Sequence, residues 1–152
     1  MHHLLNKYTW QEILEGELEG IHGRGHWLKV ATTAALLAEI EGGDVDVAFL
    51  FGIYHDCRRE NDYFDPKHGE RASLLALKHY RAGMLKLDQG QLDTLLYACL
   101  HHTSGEVSDD VTISCCWDAD RLDLPRVGTQ TLPRFLGTET AKKMASMQEG
   151  IF

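Results

Sequence analysis

The segment DVDVAFLFGIYHD, residues 44–56, decides the fold of this 152-residue chain. Asp44 is a typical N-cap residue, and the residues that follow it are apolar on nearly every face of a predicted helix. The segment ends on His55 and Asp56, whose imidazole and carboxylate are costly to bury without a partner. A bound cation would offset that cost. The segment therefore predicts a buried central helix that carries a metal-binding type of residue pair into the interior.

The remaining apolar residues recur at spacings of three and four, and no convincing pair of strands emerges, so the class is all-α with about six to seven helices. Thr9 and Glu12 form a capping box for the first helix, and the alanines of the second permit close packing. The helices are predicted at residues 9–20, from about His26 to Gly42, at 45–56, about 67–82, 89–103, 111–124 and 138–148.

Composition indicates one compact domain over residues 1–152, with no linker, repeat or low-complexity tract. The formal net charge of −8 disfavours a sequence-independent grip on long nucleic acid. The four cysteines include no CxxC pair, which favours reduced thiols, and no apolar run is long enough to cross a membrane. We therefore expect a soluble, cytoplasmic protein. His2 and His3 are terminal and are not expected to act in a site.

Six of the nine histidines lie near predicted helix ends: His22, His26, His55, His68, His101 and His102. In the segment IHGRGHW, residues 21–27, two of them stand four positions apart. They share a helix face only if the segment is helical, and two glycines within it indicate that the helix begins late. Spacing alone leaves open whether both, one or neither of this pair binds a metal.

An ordered set of motifs resembles the HD-domain superfamily of metal-dependent phosphohydrolases. The set consists of His26 in HWLKVA, His55 and Asp56 in YHDCRREND, and a distal aspartate in DADRLDL. The resemblance covers residues 21–127 and leaves 128–152 as a C-terminal helical extension. It implies a single helical HD domain in which metal-activated water attacks a phosphorus atom.

The resemblance also implies a ligand set of His26, His55, Asp56 and a third-motif carboxylate. Asp118, Asp120 and Asp123 are the candidates for the carboxylate. Asp120 stands in the Ala-Asp-Arg-Leu context that several branches use, so it is assigned first and Asp118 second. Two imidazoles and two carboxylates suit Mn, Fe, Zn, Co or Ni, and the sequence does not choose among these divalent ions.

Some branches of the superfamily carry additional histidines and hold two metals bridged by the aspartate of the motif. His68 and one of His101 and His102 match that order here. One ion and two ions per chain are equally compatible with the pattern. The alternative roles for these histidines are contact with a substrate phosphate and helix capping.

The segment after the motif assigns further roles. Nucleotide-type relatives often place an acid three residues after the motif's aspartate, where this chain has Arg59, with Glu60 one place later as a substitute base. Arg58 and Arg59 are expected to supply one phosphate clamp and one ion pair with Glu60, Asp62 or Asp65. His26 is assigned as the ligand of its pair. Lys29 and His22 are assigned to the substrate side of the site.

The implied function is hydrolysis of a small phosphorylated molecule, with a nucleotide as one candidate. The segment HHTSGEVSDD lacks the GYP element of the cyclic-dinucleotide branch and does not support that substrate. Two other functions stay open, a di-iron oxygenase that uses the larger histidine set and a non-catalytic sensor of metal or nucleotide. The sequence does not determine the oligomeric state.

Overall fold

A computed structural model describes residues 22–149 of the chain, and these residues form α-helices and short 3-10 turns without any strand. The all-α prediction is confirmed. The predicted helix at 9–20, its capping box and the terminal histidines lie outside the described residues. The helices are α1 Arg24–Glu41, α2 Val45–Tyr54, α3 His68–Arg81, α4 Gln89–His101, α5 Val111–Leu122 and α6 Glu139–Glu149, with 3-10 turns at Leu124–Val127 and Pro133–Phe135.

The helix ends fall within two residues of the predicted ones, and the differences matter most near the predicted site. Helix α1 begins two residues before His26, after Gly23 as its N-cap. Helix α2 ends at Tyr54, so His55 is its C-cap and Asp56 stands in the turn beyond it. Helix α3 begins on His68 itself. The histidines thus lie at helix ends, where the chain can turn their rings toward a common point.

Helix α2 is the centre of the fold, as the apolar segment predicts. Every residue from Val47 to Tyr54 is buried, and the Asp44 side chain caps the helix by accepting from the Val47 amide at 3.0 Å. The helices α1, α5, α4 and α3 all pack against it. Burial on all sides fixes the direction in which α2 delivers His55 and Asp56.

The close crossing of α1 and α2 depends on small side chains. The buried face of α1 includes Ala31, Ala34, Ala35 and Ala38, and a Cβ atom placed on Gly52 would lie only 2.1 Å from the backbone nitrogen of Ala31. A side chain at position 52 would therefore force the two helices apart. The contact brings the N-terminal turn of α1, with His26, beside the C-terminal end of α2.

A second close approach joins α3 to α4. A Cβ atom on Gly69 would lie 2.6 Å from the carbonyl oxygen of Cys99, so the first turn of α3 rests directly on the last turn of α4. Trp117 of α5 ties the same region by donating its indole N–H to the Ala98 carbonyl at 3.0 Å. The first turns of α1 and α3 therefore meet the last turns of α2, α4 and α5.

None of the helices within residues 22–149 is both long and apolar enough to cross a membrane.

We predict that Gly52→Ala destabilises the protein by about 3 kcal/mol or more, because the added methyl group meets backbone atoms of a neighbouring helix and cannot be accommodated by a side-chain rotation. Chemical denaturation measures the change. Gly25→Ala is the matched control, since a Cβ atom at this exposed position of α1 meets nothing within 4 Å. Equal stability of the two variants would contradict the close crossing.

Candidate metal centre

Asp56 lies at the centre of four buried histidines. Its Oδ2 atom is 3.3 Å from the Nε2 atom of His26 and 3.6 Å from that of His55. Its Oδ1 atom is 3.2 Å from the Nε2 atom of His68 and 3.4 Å from that of His102. Each carboxylate oxygen therefore faces its own pair of imidazoles, and the side chain is only 5% exposed.

Each of these four rings is oriented by a hydrogen bond from its other nitrogen, Nδ1. The acceptors are three backbone carbonyls and one carboxylate, none of which carries a proton, so Nδ1–H must be the donor in every case. The bonds run from His26 to Asp123 Oδ2 at 2.7 Å, from His55 to the Gly52 carbonyl at 2.9 Å, from His68 to the Asp65 carbonyl at 2.5 Å and from His102 to the Cys99 carbonyl at 2.7 Å.

With Nδ1–H committed to these acceptors, the Nε2 atoms point at one another. The Nε2 atoms of His26 and His55 are 3.1 Å apart, and those of His68 and His102 are 2.9 Å apart. Whenever both rings of a pair are neutral, two lone pairs face each other with no hydrogen between them, and a proton or a cation is needed to relieve the repulsion. A cation between the members of each pair turns repulsion into ligation, so the donor set fits a transition metal.

The donors form two triads, and Asp56 belongs to the second while its Oδ2 atom also approaches the two imidazoles of the first. The first triad is His26, His55 and Asp120, and the second triad is Asp56, His68 and His102. Asp120 completes the first triad with its Oδ1 atom, 3.1 Å from His26 Nε2 and 3.3 Å from His55 Nε2. Within each triad the donor atoms lie within 4.8 Å of one another, so either triad could hold an ion.

The electrostatics of the cluster favour ionised carboxylates. Burial alone would raise the pKa values of Asp56 and Asp120, but the surrounding histidines hold both well below the usual range. Burial alone would lower the pKa of His26, yet its hydrogen bonds to Asp120, Asp123 and Asp56 raise it to about 10. In the absence of metal, a protonated His26 therefore supplies part of the positive charge that a bound cation would supply.

The structure separates the three aspartates of the DADRLDL segment. Asp120 faces the cluster. Asp118 instead accepts from the amide of Gly137 and from the amide and hydroxyl of Thr138, all at 2.7–2.8 Å, and so anchors the start of α6. Asp123 accepts from His26 Nδ1 and thereby orients that ligand. Asp123, which the sequence offered only as a candidate ligand, also lies 3.6 Å from the Arg126 guanidinium, and its role in orienting His26 was not predicted.

The two adjacent histidines at the end of α4 separate in the same way. His102 is 5% exposed and belongs to the second triad, whereas His101 is exposed and its ring lies tilted against Tyr97, with ring centroids 4.5 Å apart. The structure thus takes His101 out of the candidate ligand set, because consecutive helical residues point about 100° apart.

His22 is closer to the cluster than its position before the glycines indicated. Its Nδ1 atom lies 3.2 Å from Asp56 Oδ2 and 3.3 Å from the Nη2 atom of Arg126. With His26 and Asp56 it forms a third set of donors able to hold a cation. A permanent guanidinium charge beside the same nitrogen disfavours metal ligation by His22, and its assignment to the substrate side stays a prediction.

Arg59 is the arginine that lies against the cluster. Its Nη1 atom is 3.9 Å from Asp56 Oδ1 and stands 3.2 and 3.1 Å from the two ring nitrogens of His68, so it lies over the imidazole face. Its Nη2 atom donates to the Tyr63 carbonyl at 3.1 Å. Arg58 donates to the carbonyl of its neighbour Cys57. Arg71 contacts both Glu60 and Asp65, two of the acids expected to pair with Arg58 or Arg59.

Two predicted site residues are not brought to the cluster. The Glu60 side chain is 73% exposed and its carboxylate lies 3.8 Å from Arg71, so the structure does not place it as a base beside Asp56. The Lys29 ammonium lies 2.9 Å from Asp123, on the Nδ1 side of His26 and away from the Nε2 atoms. Lys29 therefore supports Asp123 and is not positioned as a substrate ligand.

All four cysteines are buried free thiols. Burial raises the pKa of Cys57 and of Cys115 to about 12, and raises those of Cys99 and Cys116 well above the ordinary value. Neutral thiols are poor nucleophiles and poor metal ligands. The chemistry of this site therefore rests on the histidines and carboxylates.

The fold and the site define an all-helical protein built around a histidine and aspartate cluster able to hold divalent metal. A family model, the HD domain, matches residues 23–125, and the chain belongs to that family. The chain is similar to a crystal structure of a predicted HD superfamily hydrolase from an uncultured Thermotogales bacterium. The two share 25% identity and a TM-score of 0.74 over 99% of this chain and 86% of the other. No curated protein matches the chain.

We predict that His102→Ala removes one tightly bound divalent ion or weakens its binding by at least 10-fold, because it deletes one of two imidazoles in the second triad. His101→Ala should leave metal content unchanged, since this exposed ring packs against Tyr97 and away from the cluster. Elemental analysis of the two variants after loading with Mn²⁺ makes the comparison. Equal losses from both would show that the register at the end of α4 is wrong.

We also predict opposite pH responses with and without metal. A pKa of His26 raised from 6.5 to about 10 stabilises the metal-free fold fully below pH 6.5, and this contribution disappears as pH rises toward 10. Ligation needs the deprotonated ring, so Mn²⁺ affinity should rise over the same window. Denaturation of the metal-free protein and Mn²⁺ titration at pH 6.5 and at about pH 9 test this.

His26→Ala is the control, since it should remove the pH dependence that His26 contributes to the stability of the metal-free protein and to Mn²⁺ affinity. A metal-free wild type that is no less stable at the higher pH would contradict the proton's role in the cluster.

Proposed function

We propose that the protein is a metal-dependent phosphohydrolase that acts on a small phosphorylated molecule, with a nucleotide as one candidate. The observation that supports this most directly is the Asp56 carboxylate, whose two oxygens face two separate imidazole pairs at 3.2–3.6 Å. Membership of the HD family and the similarity to a predicted HD superfamily hydrolase point the same way.

The first triad and the second triad would hold one ion each, and Asp56, a member of the second, also has its Oδ2 atom near the imidazoles of the first. Bound divalent ions lower the pKa of water so that hydroxide is available near neutral pH, and they withdraw charge from a phosphoryl oxygen. The Nδ1 hydrogen bonds keep every Nε2 atom directed inward and in one tautomer. Preorganised donors of this kind let the protein bind ions without rearranging side chains.

Arginine side chains lie on both sides of the cluster. Arg59 lies beside Oδ1 of Asp56, and Arg126 contacts His22, whose Nδ1 atom is next to Oδ2. A guanidinium matches the geometry of phosphate oxygens, so we assign Arg59 to hold a substrate phosphate. These charges are local within a chain of net charge −8, which fits a small anionic substrate better than long nucleic acid.

We also propose that the protein is cytoplasmic, as the sequence predicts. The four thiols are unpaired, which fits the reducing cytoplasm. We propose a small phosphorylated molecule as the partner of the site, with neither a membrane nor long nucleic acid involved.

A di-iron oxygenase is the second candidate, and the Asp56 carboxylate that faces the imidazoles of both triads is the observation that favours it. Two irons with a bridging aspartate would give a charge-transfer absorption and would consume oxygen in the presence of a substrate. A hydrolase needs neither property. Loading separate samples with Mn²⁺ and with iron therefore distinguishes the two reactions on one protein.

We predict that Asp56→Ala abolishes both metal retention and hydrolysis, because it removes the carboxylate that both imidazole pairs share. Release of inorganic phosphate from a panel of nucleotides and sugar phosphates by Mn²⁺-loaded protein measures activity, and elemental analysis measures the metal. The expected loss of rate is about 10³-fold or more, the scale of removing metal-activated water.

Asp93→Asn is the matched control, since Asp93 is exposed on α4 and its side chain accepts from Gln89. Full hydrolysis by Asp56→Ala would overturn the mechanism. A wild type that retains metal but releases phosphate from no member of the panel, and consumes no oxygen with iron, would favour a sensor.

A further inference from the structure

Beyond the donors themselves, an ion pair between the buried Asp65 carboxylate and the partly buried Arg71 lies beside the second triad. The Nη2 atom of Arg71 lies 2.5 and 2.6 Å from the two carboxylate oxygens of Asp65, and the Asp65 side chain is 4% exposed. Arg71 is on α3, one turn after His68, and Asp65 is three residues before His68. The pair therefore encloses the start of α3.

Asp65 orients His68 through its backbone. Its carbonyl oxygen accepts from His68 Nδ1 at 2.5 Å and from the His68 amide at 3.4 Å. Lys67, the N-cap of α3, supplies no side-chain hydrogen bond to the helix. The position of the Asp65 carbonyl, and with it the direction of the His68 ring, thus depends on what holds residue 65.

The same pair holds the segment that follows the HD motif. Arg71 Nε donates to the Arg58 carbonyl at 2.9 Å, and Asp65 Oδ2 accepts from the Glu60 amide at 2.7 Å. These two contacts flank Arg59 in the chain. They keep the Arg59 guanidinium over the face of the His68 ring, so His68 is fixed both at its edge and on its face.

We propose that Arg71 and Asp65 are positioning residues for the second cation, acting through His68. The inference rests on the proposed two-ion centre. The rings of the first triad are oriented by the Asp123 carboxylate and the Gly52 carbonyl, and within residues 22–149 neither Arg71 nor Asp65 forms a hydrogen bond or ion pair with either group. Loss of the pair consequently weakens one ion selectively.

The test is a Mn²⁺ titration of the full chain, followed by electron paramagnetic resonance. Wild type should bind two equivalents and show the signal of an exchange-coupled pair. Arg71→Gln and Asp65→Asn should keep one tight equivalent, lose the coupled signal, and weaken the second equivalent by about 10-fold to 100-fold. Arg71→Lys should fall between wild type and Arg71→Gln, because an ammonium still pairs with Asp65 but cannot also reach the Arg58 carbonyl in the same geometry.

Arg81→Gln is the matched control, an exposed arginine at the other end of α3. Combining Arg71→Gln with His68→Ala should weaken the second equivalent no further than His68→Ala alone, because the two residues act on one ligand. If Arg71→Gln fails to fold, Asp65→Asn and Arg71→Lys give the same reading.

The outcomes separate this inference from the proposed centre. Two coupled ions in Arg71→Gln and Asp65→Asn would overturn the positioning role and leave the two-ion centre standing. Equal weakening of both equivalents would also overturn it, since the role would then be general stability. A wild type that binds a single ion would overturn the two-ion centre and the positioning role together.

Discussion

Two pairs of histidine Nε2 atoms face each other at the centre of the site, and the surrounding hydrogen bonds hold them in that orientation. Their Nε2 atoms are 3.1 and 2.9 Å apart, while each Nδ1–H is committed to an oxygen that can only accept. The cost of that arrangement is large in a buried site unless positive charge is present. A proton on His26 supplies some of it, and two divalent ions would supply all of it.

The close packing of the helices and the orientation of the ligands depend on the same few residues. Gly52 lets α1 approach α2, and its carbonyl oxygen also holds His55. Gly69 lets α3 rest on the carbonyl oxygen of Cys99, which in turn holds His102. Backbone carbonyls in the last turns of α2 and α4 would otherwise lack partners, and the ligand rings satisfy them. Helix packing and site geometry are therefore not separable in this protein.

Much of the fold and part of the site could be predicted from sequence, because they depend on local patterns. The apolar run before His55 indicated a buried helix, and the Ala-Asp-Arg-Leu context selected the aspartate that faces the cluster. His102 could also have been separated from His101, since Leu95, Cys99 and His102 continue one buried stripe of α4. This helical spacing is present in the sequence and favours His102 over His101 as the buried histidine.

Other features depend on long-range contacts that no local pattern carries. Asp123 meets His26 across 97 residues, and Arg71 takes the ion pairs that proximity in sequence assigned to Arg58 and Arg59. The loop between α2 and α3 decides whether Glu60 faces the cluster, and its path is set by Asp65, which neither helix propensity nor spacing predicts. The HD fold supports more than one reaction, so the substrate must be read from the site and from experiment.

We propose that Asp56 joins two cation sites, one at each carboxylate oxygen. The most direct measurement is anomalous diffraction from crystals loaded with Mn²⁺. We expect two anomalous peaks for Mn²⁺. One should lie within ligand distance of the Nε2 atoms of His26 and His55, and the other within ligand distance of those of His68 and His102. Density for Mn²⁺ away from Asp56, or no bound metal in fully loaded crystals, would contradict it.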